Sequence, residues 1–150
     1  MKKFLLLLAL MALALVPAAA QEELMMVDGG CDYGGTIKSI EAFPGNLYLI
    51  LGGRDKAGDF TVLRSPVQER VKHLVLIGEA AGKIRESLSG TAAMSDAQSM
   101  EEAVSICRSL ARRGDTVLLA PACASFDMFR NYEHRGRAFK EAVLGRNRQA

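Results

Sequence analysis

Two short stretches hold the residue types best suited to gripping a small anion. Residues 52–60 read Gly-Gly-Arg-Asp-Lys-Ala-Gly-Asp-Phe. The paired glycines, Gly52 and Gly53, let backbone N–H groups turn toward an anion, and Lys56 adds a mobile positive charge, so this is a candidate carboxylate or phosphate cradle. Residues 121–132 read Pro-Ala-Cys-Ala-Ser-Phe-Asp-Met-Phe-Arg-Asn-Tyr. Small residues there permit close approach of backbone to a ligand, Ser125 offers a hydroxyl, and Asp127 is placed to cap the turn that follows. A nucleophilic Cys123 would need a base within hydrogen-bond reach, for which His134 is the local candidate.

Other chemistries find little footing. The phosphate-cradling pattern GxxxxGK[ST] occurs nowhere in the chain, so no nucleotide hydrolysis can be assigned to it. Cys31, Cys107 and Cys123 have neither CxxC spacing nor an even count, which argues against a disulfide framework or a zinc site. His73 and His134 lie far apart, without a Cys or His at ligand spacing, and read as structural. No metal site is expected.

Short apolar runs alternating with amphipathic stretches must position the two loops, a pattern of βαβ units and a mainly parallel sheet. Strands are expected at 47–51, 73–77 and 116–120, each rich in Leu, Ile and Val without alternation, as suits strands covered on both faces. Weaker strands are expected at 91–94 and 24–27. Helices are expected at 36–43, stopped by Pro44-Gly45, at 79–88, at 99–112 and at 131–144. Ser99 and Glu102 form a capping box for the third of these helices, on which Cys107 falls at a core position. Both candidate loops then follow strands, where open α/β sheets bind ligands.

The stretch Leu-Gly-Gly-Arg-Asp-Lys-Ala-Gly-Asp-Phe at 51–60 resembles the LGGxDKxxDF loop of the D-glutamate-adding Mur ligases, in their C-terminal domain. Residues 120–136 (APACASFDMFRNYEHRG) resemble the same family's SPACASFDxFxxFxxRG segment. The resemblance implies an α/β fold with an open, mainly parallel Rossmann-like sheet and helices on both faces. It also implies peptidoglycan-precursor chemistry, in which ATP phosphorylates the carboxylate of a nucleotide-linked muramoyl-alanine and the amine of D-glutamate attacks. By motif position, Lys56 would pair with a D-glutamate carboxylate, Ser125 would donate a hydrogen bond to the same group, and Tyr132, where the family usually has Phe, would line the pocket. These are positioning roles, and no catalytic residue is assigned. No cofactor is expected on this chain alone; ATP and Mg belong to the complete family enzyme, whose central ATPase domain would be the partner.

Just before the expected helix the family carries Asp-Ser-Lys-Ala-Thr-Asn. Alignment on Thr36 places Gly29 where its Lys would be, Cys31 for its Thr and Asp32 for its Asn. The expected organisation is therefore a leader at 1–20, a divergent connecting segment at 21–35 and the ligase-like domain at 36–150. The leader has Lys2 and Lys3, an apolar run at 4–16 and Ala18-Ala19-Ala20 before Gln21, the three regions of a signal peptide. Its apolar run is shorter than the roughly 20 residues a membrane span needs.

Export to the periplasm or beyond follows from the leader, and a cytoplasmic location from the family and from the unpaired cysteines. Alternatives to a working ligase domain are an exported binding domain without catalysis and a remnant of a rearranged or truncated gene. The whole chain carries a formal charge of +2, and without Lys2 and Lys3 it is neutral. Neutrality gives no electrostatic case for nucleic acid or, after leader removal, for an anionic membrane. Arg130, Arg135, Arg137, Arg146 and Arg148, interleaved with Glu133 and Glu141, read as a solvated helix face.

Overall fold

The computed structural model describes residues 23–26 and 32–145. The leader at 1–20, Gly29, Cys31, Arg146 and Arg148 lie outside the described residues. The elements are β1 (Glu23–Met26), α1 (Tyr33–Glu41), β2 (Leu47–Gly52), a 3-10 turn (Phe60–Leu63), α2 (Arg64–Arg70), β3 (Val71–Ile77), α3 (Ala81–Ser87), β4 (Ala93–Ala97), α4 (Met100–Leu110), β5 (Thr116–Leu119) and α5 (Tyr132–Leu144). Strands pair in the order β1-β5-β2-β3-β4, every neighbour parallel. No helix among the described residues is long and apolar enough to cross a membrane.

Alternate residues of β2 face two separate cores, which is why the strand reads as an unbroken apolar run. Leu47, Leu49 and Leu51 pack on one face with Ile40, Phe60, Leu63, Val67 and Ile84, supplied by α1, the 3-10 turn, α2 and α3. Tyr48 and Ile50 pack on the other with Met100, Ala103, Cys107 and Phe139, supplied by α4 and α5. Steps from β2 to β3 to β4 run one way across the sheet, and the step from β4 to β5 runs back past them. Crossovers of one hand then require α4 on the opposite face from α2 and α3, as observed. Between β2 and β5 the connections leave toward different faces, which makes the carboxyl ends of these strands a topological switch point.

Several boundaries differ from the sequence expectation for local reasons. Helix α1 begins at Tyr33 rather than 36, because Asp32 caps it, its carboxylate accepting from Gly35 N at 2.6 Å. Strand β4 lies at Ala93–Ala97 instead of 91–94; it is a sheet edge carrying Ser95 and Asp96, so it lacks an apolar signature. The 3-10 turn and α2 are unanticipated, since α2 spans only Arg64–Arg70 and buries Val67 alone. At α4 the Ser99 oxygen accepts from Glu102 N at 3.1 Å, while the Glu102 carboxylate reaches Gln98 N at 2.7 Å, one residue further back than in the usual capping box. Cys107 is fully buried, and burial pushes its thiol up to about 12.

His73 joins β3 to the edge strand. Its Nε2 lies 2.8 Å from Ser95 Oγ, and its ring stacks on Tyr48 with centroids 6.4 Å apart. Burial lowers its pKa. The folded state thus disfavours the imidazolium, so this contribution to stability is complete above the unfolded-state pKa of about 6.5 and is lost as pH falls below it. Urea unfolding at pH 7.5 and pH 5.5 is expected to show a larger acid loss in the wild type than in His73→Gln; equal losses would contradict the assignment.

Candidate functional site

Three loops cross at the carboxyl ends of β2, β3 and β5, and their close approach explains the glycine pair. Gly52 and Gly53 have φ of 130° and 142°, a region that L residues rarely adopt. A Cβ on Gly52 would overlap the Ile77 carbonyl oxygen, and one on Gly53 would overlap that of Ala124. Gly52 N donates to Pro121 O at 3.0 Å, and Arg54 N to Ala124 O at 2.9 Å, an isolated antiparallel bridge. Ala80 N, beyond β3, donates to Gly53 O at 2.9 Å. The Gly52 amide is therefore occupied by protein, and the pair serves loop crossing before anything else.

That bridge brings the Lys56 loop against the Ser125 loop at the switch point. Lys56 is exposed. Ser125 is 2% exposed and starts a tight turn, its carbonyl accepting from Phe129 N at 2.8 Å. Tyr132 stands at the first turn of α5, half exposed. Asn131 caps that helix, its side chain accepting from His134 N at 2.8 Å. From the α1 side, Thr36 Oγ1 donates to Ala120 O at 3.4 Å and ties the helix to the end of β5.

Three side chains prove to act differently from the sequence expectation. Asp127 does not cap its own turn: Oδ2 accepts from Glu79 N at 2.9 Å, on the loop after β3, and Oδ1 is buried with no hydrogen-bond partner among the described residues. Arg135 is not on a solvated face but 2% exposed, donating to Cys123 O at 3.0 Å beneath the Ser125 loop. The guanidinium keeps a multi-donor group against that carbonyl, where a hydrocarbon would leave it unpaired. His134 is no base for Cys123, since its Nδ1 accepts from Arg130 N at 3.2 Å and Cys123 is buried.

Charges flank the Lys56 loop. Asp55 lies below the usual carboxylate range, chiefly through a hydrogen bond from Lys83, and Asp59 does so chiefly through the Thr61 hydroxyl. Tyr33 is raised, first by burial and then by the neighbouring Cys123, Asp55 and Asp59. Lys83, on α3, escaped sequence reasoning because it lies far along the chain from Asp55 and has no motif of its own. A cavity of about 590 Å³ lies elsewhere, between α4 and α5, lined by Glu101, Val104, Arg108 and Ala142. None of Lys56, Ser125 or Tyr132 lines it.

A family model described as Mur ligase, glutamate ligase domain, matches residues 15–123 of this chain. The chain belongs to this family. The match takes in Gly52, Gly53 and Lys56 and ends ahead of Ser125 and Tyr132. Among curated relatives, the UDP-N-acetylmuramoylalanine--D-glutamate ligase of Solibacter usitatus (strain Ellin6076) is 52% identical over 110 residues, 73% of this chain and 25% of that protein. The protein of the same name from Geobacter sp. (strain M21) is 47% identical over 114 residues, 76% of this chain and 25% of its own length. That of Koribacter versatilis (strain Ellin345) is 50% identical over 108 residues, 72% and 24% respectively. The chain thus spans about a quarter of the relatives it matches.

In this Mur ligase glutamate ligase domain the Arg54–Ala124 bridge joins the two motif loops. Asp32, standing where the family motif has Asn, is used as a helix cap. The chain has no GxxxxGK[ST] loop, and among the described residues no group of three His, Cys, Asp or Glu could hold a metal ion.

Proposed function

We propose that this chain is the amino-acid-binding C-terminal domain of a D-glutamate-adding ligase of peptidoglycan precursor synthesis. Lys56 pairs with a carboxylate of D-glutamate, Ser125 donates a hydrogen bond to the same group, and Tyr132 lines the pocket. What supports the reading is above all the Arg54–Ala124 bridge, which sets the lysine loop beside the serine loop at the switch point. An ammonium and a hydroxyl on one carboxylate fix its direction, and with it the direction of the ligand's amine. Orientation of that nucleophile, rather than proton transfer by this domain, is the contribution to rate. ATP-dependent activation of the acceptor carboxylate is the work of the ATPase domain of the complete enzyme, so this chain does not ligate unaided.

The test has two arms. The chain supplied with ATP, UDP-N-acetylmuramoyl-L-alanine and D-glutamate is expected to release no phosphate. Exchanged for the matching C-terminal quarter of the Solibacter usitatus ligase, it is expected to support D-glutamate-dependent phosphate release. Lys56→Ala in that chimera should lower kcat/KM for D-glutamate about 100-fold, the scale of one lost charge-assisted contact. Turnover by the chain alone, or a chimera indifferent to Lys56→Ala, would contradict the proposal.

A further inference from the structure

Lys56 has an immediate rival for its ligand in its own neighbour. The Asp55 carboxylate, one residue away, is the nearest anion in sequence that could capture the ammonium. It does something else. Asp55 Oδ1 accepts from Ala57 N at 2.9 Å, closing a small ring around Lys56. Ala57 sits at φ 57°, where an alanine Cβ crowds the backbone, so this turn needs an external hold. Lys83 provides one from α3, with Nζ 3.0 Å from Oδ2 and 3.4 Å from Oδ1 of Asp55. The same ammonium lies 5.8 Å from the centroid of Phe60, a core ring packed edge-on against Tyr33 at 5.4 Å. Gly58, on the far side of the turn, lies against the Tyr33 hydroxyl with no room for a side chain.

The ion pair is itself partly solvated, with side chains 40% and 26% exposed. Exposed pairs contribute little to fold stability, so its value lies in what it orients. We propose that Lys83 is a positioning residue of the ligand site: it occupies the Asp55 carboxylate, so that Asp55 closes the turn on Ala57 and leaves the Lys56 ammonium to the ligand's carboxylate. This rests on the amino-acid-binding reading above. Lys83 does not touch the ligand; it acts through Asp55, and through it on the direction of Lys56.

Two measurements on the intact chain separate this role from a structural one and from the functional reading. Amide exchange at Ala57 in the unliganded protein reports the clamp, and titration with D-glutamate reports its use. Lys83→Gln is expected to speed Ala57 exchange at least about threefold and to weaken D-glutamate binding about fivefold, with an unchanged thermal midpoint. Lys83→Arg, which keeps the charge, should restore both. The double variant Lys83→Gln with Asp55→Ala, which removes the rival carboxylate, should regain part of the affinity while the fast exchange at Ala57 persists. Unchanged exchange in Lys83→Gln would overturn the proposal, as would changed exchange with unchanged affinity. A wild type that binds no D-glutamate would refute the functional reading and with it the ligand-directed part of this one, leaving exchange to decide whether the clamp exists.

Discussion

Gly52→Ala is expected to destabilise the domain by about 3 to 5 kcal/mol, a large part of the 5 to 15 kcal/mol that holds a typical domain folded. Two costs add. Alanine at φ 130° occupies backbone space open to glycine alone, worth about 1 to 3 kcal/mol. Its Cβ would also overlap the Ile77 carbonyl oxygen, which is main chain of the adjacent central strand and cannot swing aside. Relief means prying β2 from β3 at the site, where Gly52 pairs with Ile77 in the register. Gly82→Ala is the matched control: it lies within α3, nothing stands within 4 Å of a Cβ there, and alanine in a helix gains about 0.5 to 1 kcal/mol over glycine. Urea midpoints of the two variants are expected to move in opposite directions. A Gly52→Ala protein that unfolds at the wild-type midpoint would show that the three loops are not locked as described.

This expectation changes the meaning of the glycine pair. From the sequence alone, paired glycines beside a lysine suggest amides free to hold an anion. In the fold the Gly52 amide donates to Pro121, and the absence of side chains lets three loops meet. The loops that carry Lys56 and Ser125 therefore owe their close approach to these glycines.

What the sequence revealed follows from the physics of each feature. Strands β2, β3 and β5 were legible because burial on both faces demands unbroken Leu, Ile and Val, and the parallel α/β plan followed from their alternation with helices. Chain boundaries set by single caps, such as Asp32, were less legible, since one carboxylate carries no periodicity. Helix α2 was invisible because seven residues with one buried apolar position leave no pattern.

At the site, the contacts that side chains make across loops were not legible. Asp127 reaches Glu79 N over 48 positions of sequence, and Lys83 reaches Asp55 over 28. Arg135 misled for a different reason. Its neighbours along the chain are charged, and only the three-dimensional turn of α5 carries it beneath Cys123, with the buried Phe139 on the same helical face.

The second large effect concerns the ligand. An isolated domain offering one ammonium, one hydroxyl and an aromatic edge should hold D-glutamate in the millimolar range, near −4 kcal/mol, which leaves little to spare once any contact is removed. Lys56→Ala removes the only charged group assigned to the ligand's carboxylate and should reduce affinity at least about tenfold, beyond practical saturation. The most direct measurement is therefore a titration of the isotope-labelled chain with D-glutamate, followed by NMR. The account predicts saturable shifts confined to residues 52–58 and 121–132, weaker for L-glutamate and absent in Lys56→Ala. Shifts centred on the α4–α5 cavity, or shifts in the loops that survive Lys56→Ala unchanged, would contradict it.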